Sequence, residues 1–293
     1  MTIDTRFEDI GARVKVRPQA AWRPPTWRLA SAASRVQPAP MPRIDIRSDK
    51  KGEYFDLAVP EGVELEVIDT APDVRHLLLL ARIDEPRPHL ARYLCGHDER
   101  NWFVAAIPES FPASTVAEAK VALQPATLRV ATAHLPARKR TLRHNEVFRR
   151  QGEWFFIPAP DFEPDPKDFL LHNEPLRRDR RSKPHVAAEA VRSGGETRYQ
   201  GEHARVNAGK DPARTKAIRA AVDGKTVTAA EKARLEVLYP EVVWRSVLVN
   251  PVMYVRGPIR HSDHATLNLK FWHRVVVNTE GLAAASSHLT FID

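Results

Sequence analysis

The sequence predicts an α+β protein, mainly antiparallel β-sheet with a few short helices, in a two-part architecture. Three observations predict this class. Short apolar runs alternate with turn residues, capping motifs precede a few short helical runs, and a proline-rich stretch interrupts the middle of the chain. The length of 293 residues allows one large domain or two ordinary ones, and the interruption favours two.

The first half of the chain reads as consecutive strands. Residues 43–47 and 53–59 flank a run of turn residues and predict a β-hairpin. The apolar runs 76–83 and 101–107 show no polar alternation, so we expect central strands that are buried on both faces. Together these runs predict one compact antiparallel sheet.

Helix-capping motifs place three short helices. In a capping box, a Ser or Thr side chain and a Glu three residues later satisfy backbone N–H groups at the helix start, and an Asp before a Pro also starts helices well. The chain contains three such starts: Thr115 with Glu118, Asp211 before Pro212, and Thr228 with Glu231. After the third helix the chain returns to strands, and residues 259–278 predict a β-hairpin.

The composition divides the chain into four segments. We predict an N-terminal segment with an arm rich in Pro, Arg and Trp at 1–42, and a β-rich domain with one helix at 43–158. A linker rich in Pro and Arg follows at 159–184, and an α+β domain with a helix pair and a C-terminal β-hairpin occupies 185–293. Within the linker, the segment 169–176, FLLHNEPL, predicts an edge strand that docks on one of the domains.

The setting predicted for this chain is the cytoplasm. Cys95 is the single cysteine, so an intrachain disulfide is excluded and nothing favours an oxidising compartment. No apolar run has the length of a signal peptide core or a membrane span. We therefore expect a soluble protein without a membrane partner, whose oligomeric state the sequence leaves open.

The charge balance favours acidic partners. The chain has 45 Lys and Arg against 37 Asp and Glu, a formal net charge of +8. Arginines that neutralise phosphates and tryptophans that stack on bases are typical of nucleic-acid binding. The candidate residues are Trp22, Trp27, Arg138, Arg140, Arg177, Arg178, Arg180 and Arg181. The alternative is that the tryptophans pack the arm onto its own domain and the arginines form a solvated surface, because both arrangements are common.

Two short clusters are candidate ligands for a divalent metal such as zinc. His261, Asp263 and His264 lie at the predicted turn of the 259–278 hairpin, where positions three apart can converge. Cys95 and His97 lie at another predicted turn and could complete a four-ligand site. The alternatives are a turn in which Asp263 bonds its own backbone, general acid–base chemistry by a histidine, and burial of the cysteine as a small hydrophobic residue.

No motif in the sequence names a reaction. Walker, GxGxxG, GxSxG and HExxH patterns are absent, so their nucleotide-binding and hydrolytic classes are disfavoured, and whether the chain is an enzyme stays open. The leading hypothesis is an intracellular basic binding or accessory protein that contacts nucleic acid or an acidic protein. The alternatives are a metal-dependent hydrolase or nuclease that uses His261, Asp263 and His264, and a structural protein-interaction module.

Overall fold

The computed structural model describes residues 2–19, 41–83, 88–178, 182–203 and 211–282. These ranges form, in chain order, α1 (Ile3–Asp9), β1 (Val14–Pro18), β2 (Arg43–Asp49), β3 (Gly52–Val59), β4 (Val63–Ala71), β5 (His76–Ile83), β6 (His89–Asp98), β7 (Asn101–Ile107), α2 (Val116–Ala122), α3 (Ala126–Ala131), α4 (Ala137–Arg140), β8 (Arg149–Gln151), β9 (Trp154–Pro158), β10 (Leu170–Leu176), β11 (His185–Ser193), β12 (Glu196–His203), α5 (Pro212–Val222), β13 (Thr226–Val227), α6 (Ala229–Leu238), β14 (Val242–Val249), β15 (Val252–Arg260) and β16 (Leu267–Val277). The predicted α+β class with mainly antiparallel sheets is confirmed. None of the helices in these ranges is long and apolar enough to cross a lipid bilayer.

The first layer of the fold is a four-stranded antiparallel sheet in the order β4-β5-β6-β7. Its strand β5 is central and buried on both faces, as predicted for residues 76–83, whereas β7 lies at the edge, so the central position predicted for residues 101–107 is wrong. Leu77 and Leu79 pack into the core shared with the β1–β3 layer, whereas Leu78 packs against α2. Because successive side chains of a strand point to opposite faces, a continuous apolar run is what this central position requires.

The strands between residues 43 and 107 form two sheets, and not the single sheet expected from the sequence. The hairpin β2–β3 belongs to a separate three-stranded sheet in the order β1-β3-β2, in which β1 runs parallel to β3. Phe55 and Leu57 of β3 are fully buried in one core with Leu77 and Leu79. Stacking the two sheets covers apolar faces that a single sheet would leave exposed to water.

A third sheet has six strands in the order β10-β11-β15-β16-β9-β8. The predicted edge strand at 169–176 is confirmed, because β10 lies at one edge. The sheet combines β8 and β9, from the predicted domain 43–158, with β11, β15 and β16 from the predicted domain 185–293. Trp154 of β9 packs against the apolar core that also contains Leu176 of β10, so one core runs along a face of this sheet. The four-segment division stays a prediction.

A long antiparallel ribbon extends from this sheet. Ser193 pairs with Val252 in β11 and β15, and Glu196 pairs with Val249 in β12 and β14, in one continuous register across a short gap in each strand. The helix pair α5 and α6 lies at the far end of the ribbon, and its predicted caps are confirmed at both helix starts. His185 begins β11 and Arg260 ends β15, so both mark the opposite end, the base of the ribbon.

Candidate metal centre

Three histidines converge at the base of the ribbon. His185 is the first residue of β11, while His261 and His264 belong to the connection between β15 and β16. One ring nitrogen from each of these residues lies within 4.8 Å of the others, which makes them a candidate set of metal ligands. Because β11 and β15 are paired neighbours, the sheet register brings the three side chains together.

The three rings form a stack. The centroids of His185 and His261 are 4.1 Å apart with an interplanar angle of 15°, and those of His261 and His264 are 4.8 Å apart at 29°. A zinc ion bonds imidazole nitrogen at about 2.0–2.1 Å, which places ligand nitrogens roughly 3.4 Å apart in a tetrahedron. Closure around an ion therefore requires the nitrogens to move inward by about 1 Å and the stacked rings to rotate, because the nitrogen lone pair lies in the ring plane.

His185 is the most unusual of the three. Its side chain is 0% exposed, and neither ring nitrogen has a hydrogen-bond partner among the described residues. Burial, reinforced by His261 and His264, lowers the pKa of His185 to about 2, so its imidazole is neutral near pH 7. A buried polar group without a partner is costly, and a neutral imidazole is the form that binds metals.

Gly152 forms the wall of the histidine cluster. It lies in the turn between β8 and β9 with a φ of +56°, and a Cβ atom at this position would lie 3.1 Å from Nε2 of both His185 and His264. The neighbouring Gln151 donates from Nε2 to the carbonyl oxygen of Ala265 at 2.6 Å, which fixes the turn against the β15–β16 connection. The absence of a side chain at residue 152 therefore leaves open the space that both nitrogens face.

Glu99 connects this cluster to the first sheet. It lies in the turn between β6 and β7, and its Oε2 accepts a hydrogen bond from the backbone N–H of Ala265 at 2.7 Å. The same oxygen lies 3.7 Å from Nδ1 of His264, and Arg143 pairs with the other carboxylate oxygen. A carboxylate behind a histidine orients the ring and increases its basicity in metal sites. Glu99 thus joins the β6–β7 turn, two residues beyond His97, to the β15–β16 connection.

The remaining predicted ligands lie elsewhere. Cys95 is fully buried in the core between the first two sheets, where burial raises the pKa of its thiol. The ring of His97 packs edge-on against Trp102, with centroids 4.9 Å apart. Asp263 binds Lys183 through Oδ2 at 2.7 Å. Within the described parts of the chain, the ligand group contains His261 and His264 from the prediction, together with His185.

The predicted nucleic-acid residues divide into three groups. Trp22, Trp27, Arg180 and Arg181 lie outside the described residues. Arg140 and Arg178 make internal contacts, since Arg140 donates to the carbonyl oxygens of Leu135 and Ala133 and Arg178 pairs with Glu280. Arg138 and Arg177 are exposed. A continuous basic surface therefore stays a prediction.

No protein family model matches the chain, and neither a curated protein nor a solved structure matches it. Function must therefore be inferred from the chemistry of the site. Three imidazole ligands leave a fourth tetrahedral position for water or substrate, which is the arrangement of catalytic zinc sites and differs from four-ligand structural sites.

Proposed function

We propose that this chain binds a divalent transition metal, with zinc the best chemical match, through His185, His261 and His264, and that it is a metal-dependent hydrolase. The observation that carries the proposal is the convergence of the three ring nitrogens on His185, a fully buried side chain with no hydrogen-bond partner among the described residues. Imidazole suits zinc and the later first-row metals better than magnesium or calcium, which prefer oxygen ligands.

A hydrolytic role follows from the ligand type and number. Three neutral imidazoles leave the full positive charge of the ion uncompensated, and such an ion lowers the pKa of a bound water toward 7. An ion held by His185, His261 and His264 would supply a nucleophilic hydroxide at neutral pH and would polarise an oxygen of the substrate. Glu99 supports this role because its carboxylate lies 3.7 Å from Nδ1 of His264, so the inward movement that closes the site can bring the two atoms within hydrogen-bond distance.

Besides the inward movement of the three rings, metal binding requires a change in the hydrogen bonding of His261. Its Nδ1 accepts a hydrogen bond from the backbone N–H of Asp263 at 3.2 Å, which in the neutral ring leaves the proton on Nε2. Coordination through Nδ1 would replace this hydrogen bond. Coordination through Nε2 would require the proton to move from Nε2 to Nδ1, and Nδ1 could then no longer accept from Asp263. Both changes involve only the β15–β16 connection.

Metal binding is tested by titrating the chelator-stripped protein with Co²⁺ and following its visible absorption, then by competition with Zn²⁺. We expect one ion per chain, and the intense bands of a tetrahedral site. His264→Gln and His185→Asn should each weaken binding by about 100-fold or more, beyond the 10–100-fold typical of outer-shell residues.

The matched control is His134→Gln, which changes an exposed histidine of the same chain. This variant should bind Co²⁺ as the unmodified protein does. A stoichiometry below one ion per chain, or equal loss of affinity in His134→Gln and His264→Gln, would contradict the proposed site.

A second proposal follows from the net charge of +8, namely that the chain also contacts nucleic acid or an acidic protein. It is tested by fluorescence anisotropy with single-stranded and double-stranded oligonucleotides across a salt series. We expect saturable binding whose log affinity falls linearly with log salt, since each neutralised phosphate releases counterions. Absence of binding at low salt would contradict this proposal and would leave solubility as the role of the arginines.

A further inference from the structure

A polar cavity lies beside the histidine cluster. Its volume is about 90 Å³, roughly that of three molecules of liquid water. Its walls come from the edge strand β7, from α2 and from the β8–β9 hairpin, and His264 and Gly152 line it on the side of the metal centre. A group held in this cavity would therefore lie next to the proposed ion.

Most carboxylates that line the cavity are already matched by a cation. Oε2 of Glu280 binds Arg178 at 2.5 Å, and Oδ2 of Asp263 binds Lys183 at 2.7 Å. Asp98 pairs with Arg143. Glu280 and Asp263 therefore each have a cation, whereas Asp98 shares Arg143 with Glu99.

Two further cations of the cavity wall keep donor groups without a close acceptor among the described residues. Arg150 reaches Oδ2 of Asp98 only at 3.5 Å, and its buried Nε has no hydrogen-bond partner among the described residues. Lys120 is half-buried on α2 and makes no hydrogen bond or ion pair with any residue that the structure describes. Burial lowers the pKa of both groups, that of Lys120 to about 8, as expected where ammonium and guanidinium donors lose water.

We propose that this cavity binds a small oxyanion, the phosphoryl group of a phosphate ester, between Lys120 and Arg150. Both side chains line the cavity, Lys120 makes no ion pair with a described residue, and the buried Nε of Arg150 has no acceptor among the described residues, so both can donate to an anion. A guanidinium and an ammonium are the usual protein donors to phosphate oxygens. As a substrate assignment this inference rests on the proposed metal function, whereas anion binding itself requires no metal.

The probe for the cavity is inorganic phosphate, titrated by calorimetry into the full chain in the presence of EDTA. We expect saturable binding at one site, and Lys120→Met should weaken it roughly tenfold or more because a charged hydrogen-bond donor is lost. Lys216→Met, which removes an exposed lysine of α5, is the control and should bind phosphate unchanged.

A second measurement does not depend on the folding of a variant. Acetylation of the unmodified protein, followed at each lysine by mass spectrometry, should slow at Lys120 when phosphate is present and stay constant at Lys216. No phosphate binding, or equal binding by Lys120→Met, would overturn the oxyanion site. Loss of Co²⁺ binding with retained phosphate binding would instead overturn only the metal function, so the two failures are distinguishable.

Discussion

Replacing Gly152 with alanine is expected to abolish metal binding at the three histidines. The new Cβ would lie 3.1 Å from Nε2 of both His185 and His264, and an ion bound through these nitrogens must approach each of them to about 2.0–2.1 Å. The methyl group would therefore occupy the space that the ion needs. Because residue 152 has a φ of +56°, alanine should also lower the free energy of unfolding by about 1–2 kcal/mol.

Gly194→Ala separates these two effects. Gly194 has a φ of +66°, and a Cβ atom added there would have nothing within 4 Å, so this variant carries the backbone cost without filling the site. Both variants should lose similar stability in chemical denaturation of the metal-free protein, while only Gly152→Ala should lose Co²⁺ binding. Full Co²⁺ affinity in Gly152→Ala would mean that the ion does not lie among these histidines.

Arg178→Met is expected to lower the free energy of unfolding by about 3–5 kcal/mol, because it leaves a buried carboxylate without its cation. The side chain of Glu280 is 4% exposed and that of Arg178 is 16% exposed, with 2.5 Å between Nη1 and Oε2. Glu280 also accepts from the backbone N–H of Ala106 at 3.3 Å, so it joins the residues after β16 to the edge of β7. Denaturant titration of both proteins measures the loss.

The loss should depend on pH in a defined direction. Burial raises the pKa of Glu280 above 4.5 despite Arg178, so the folded protein binds more protons than the unfolded chain and its stability falls as pH rises above 4.5. Without Arg178 that pKa rises further, so the deficit of Arg178→Met should be small below pH 4.5 and grow above it. Arg178→Met combined with Glu280→Gln should recover most of the lost stability. A deficit independent of pH would contradict the ion pair as its cause.

The elements that sequence patterns predicted correctly are those set by neighbours in the chain. The capping boxes at Thr115 and Thr228 and the cap at Asp211 start helices where expected. Each cap is a contact between residues three apart, so its signal lies within one turn of chain. The two-sheet packing of residues 43–107 was not predicted, because it depends on which apolar faces meet and no local pattern records that.

In the candidate site, too, the sequence predicted the residues that are close in the chain and missed those that only the fold brings together. His261 and His264 were identified because they lie three apart at a predicted turn. His185 was not, because it lies in another strand and only the pairing of β11 with β15 brings it near. Gly152 and Glu99 reach the cluster from two further elements through contacts at Ala265. Their local sequence carries no signal of such a role.

The pairing of β9 with β16 also determines when the site can form. Val276 of β16 pairs with Phe155 of β9, so this ladder joins strands from the middle and the end of the chain. During synthesis the first two sheets can assemble early, whereas the turn that holds Gly152 cannot reach its place until β16 has left the ribosome. The three-histidine site is therefore a late product of folding, and an ion that binds there would stabilise only chains that have completed the longest-range pairing of the fold.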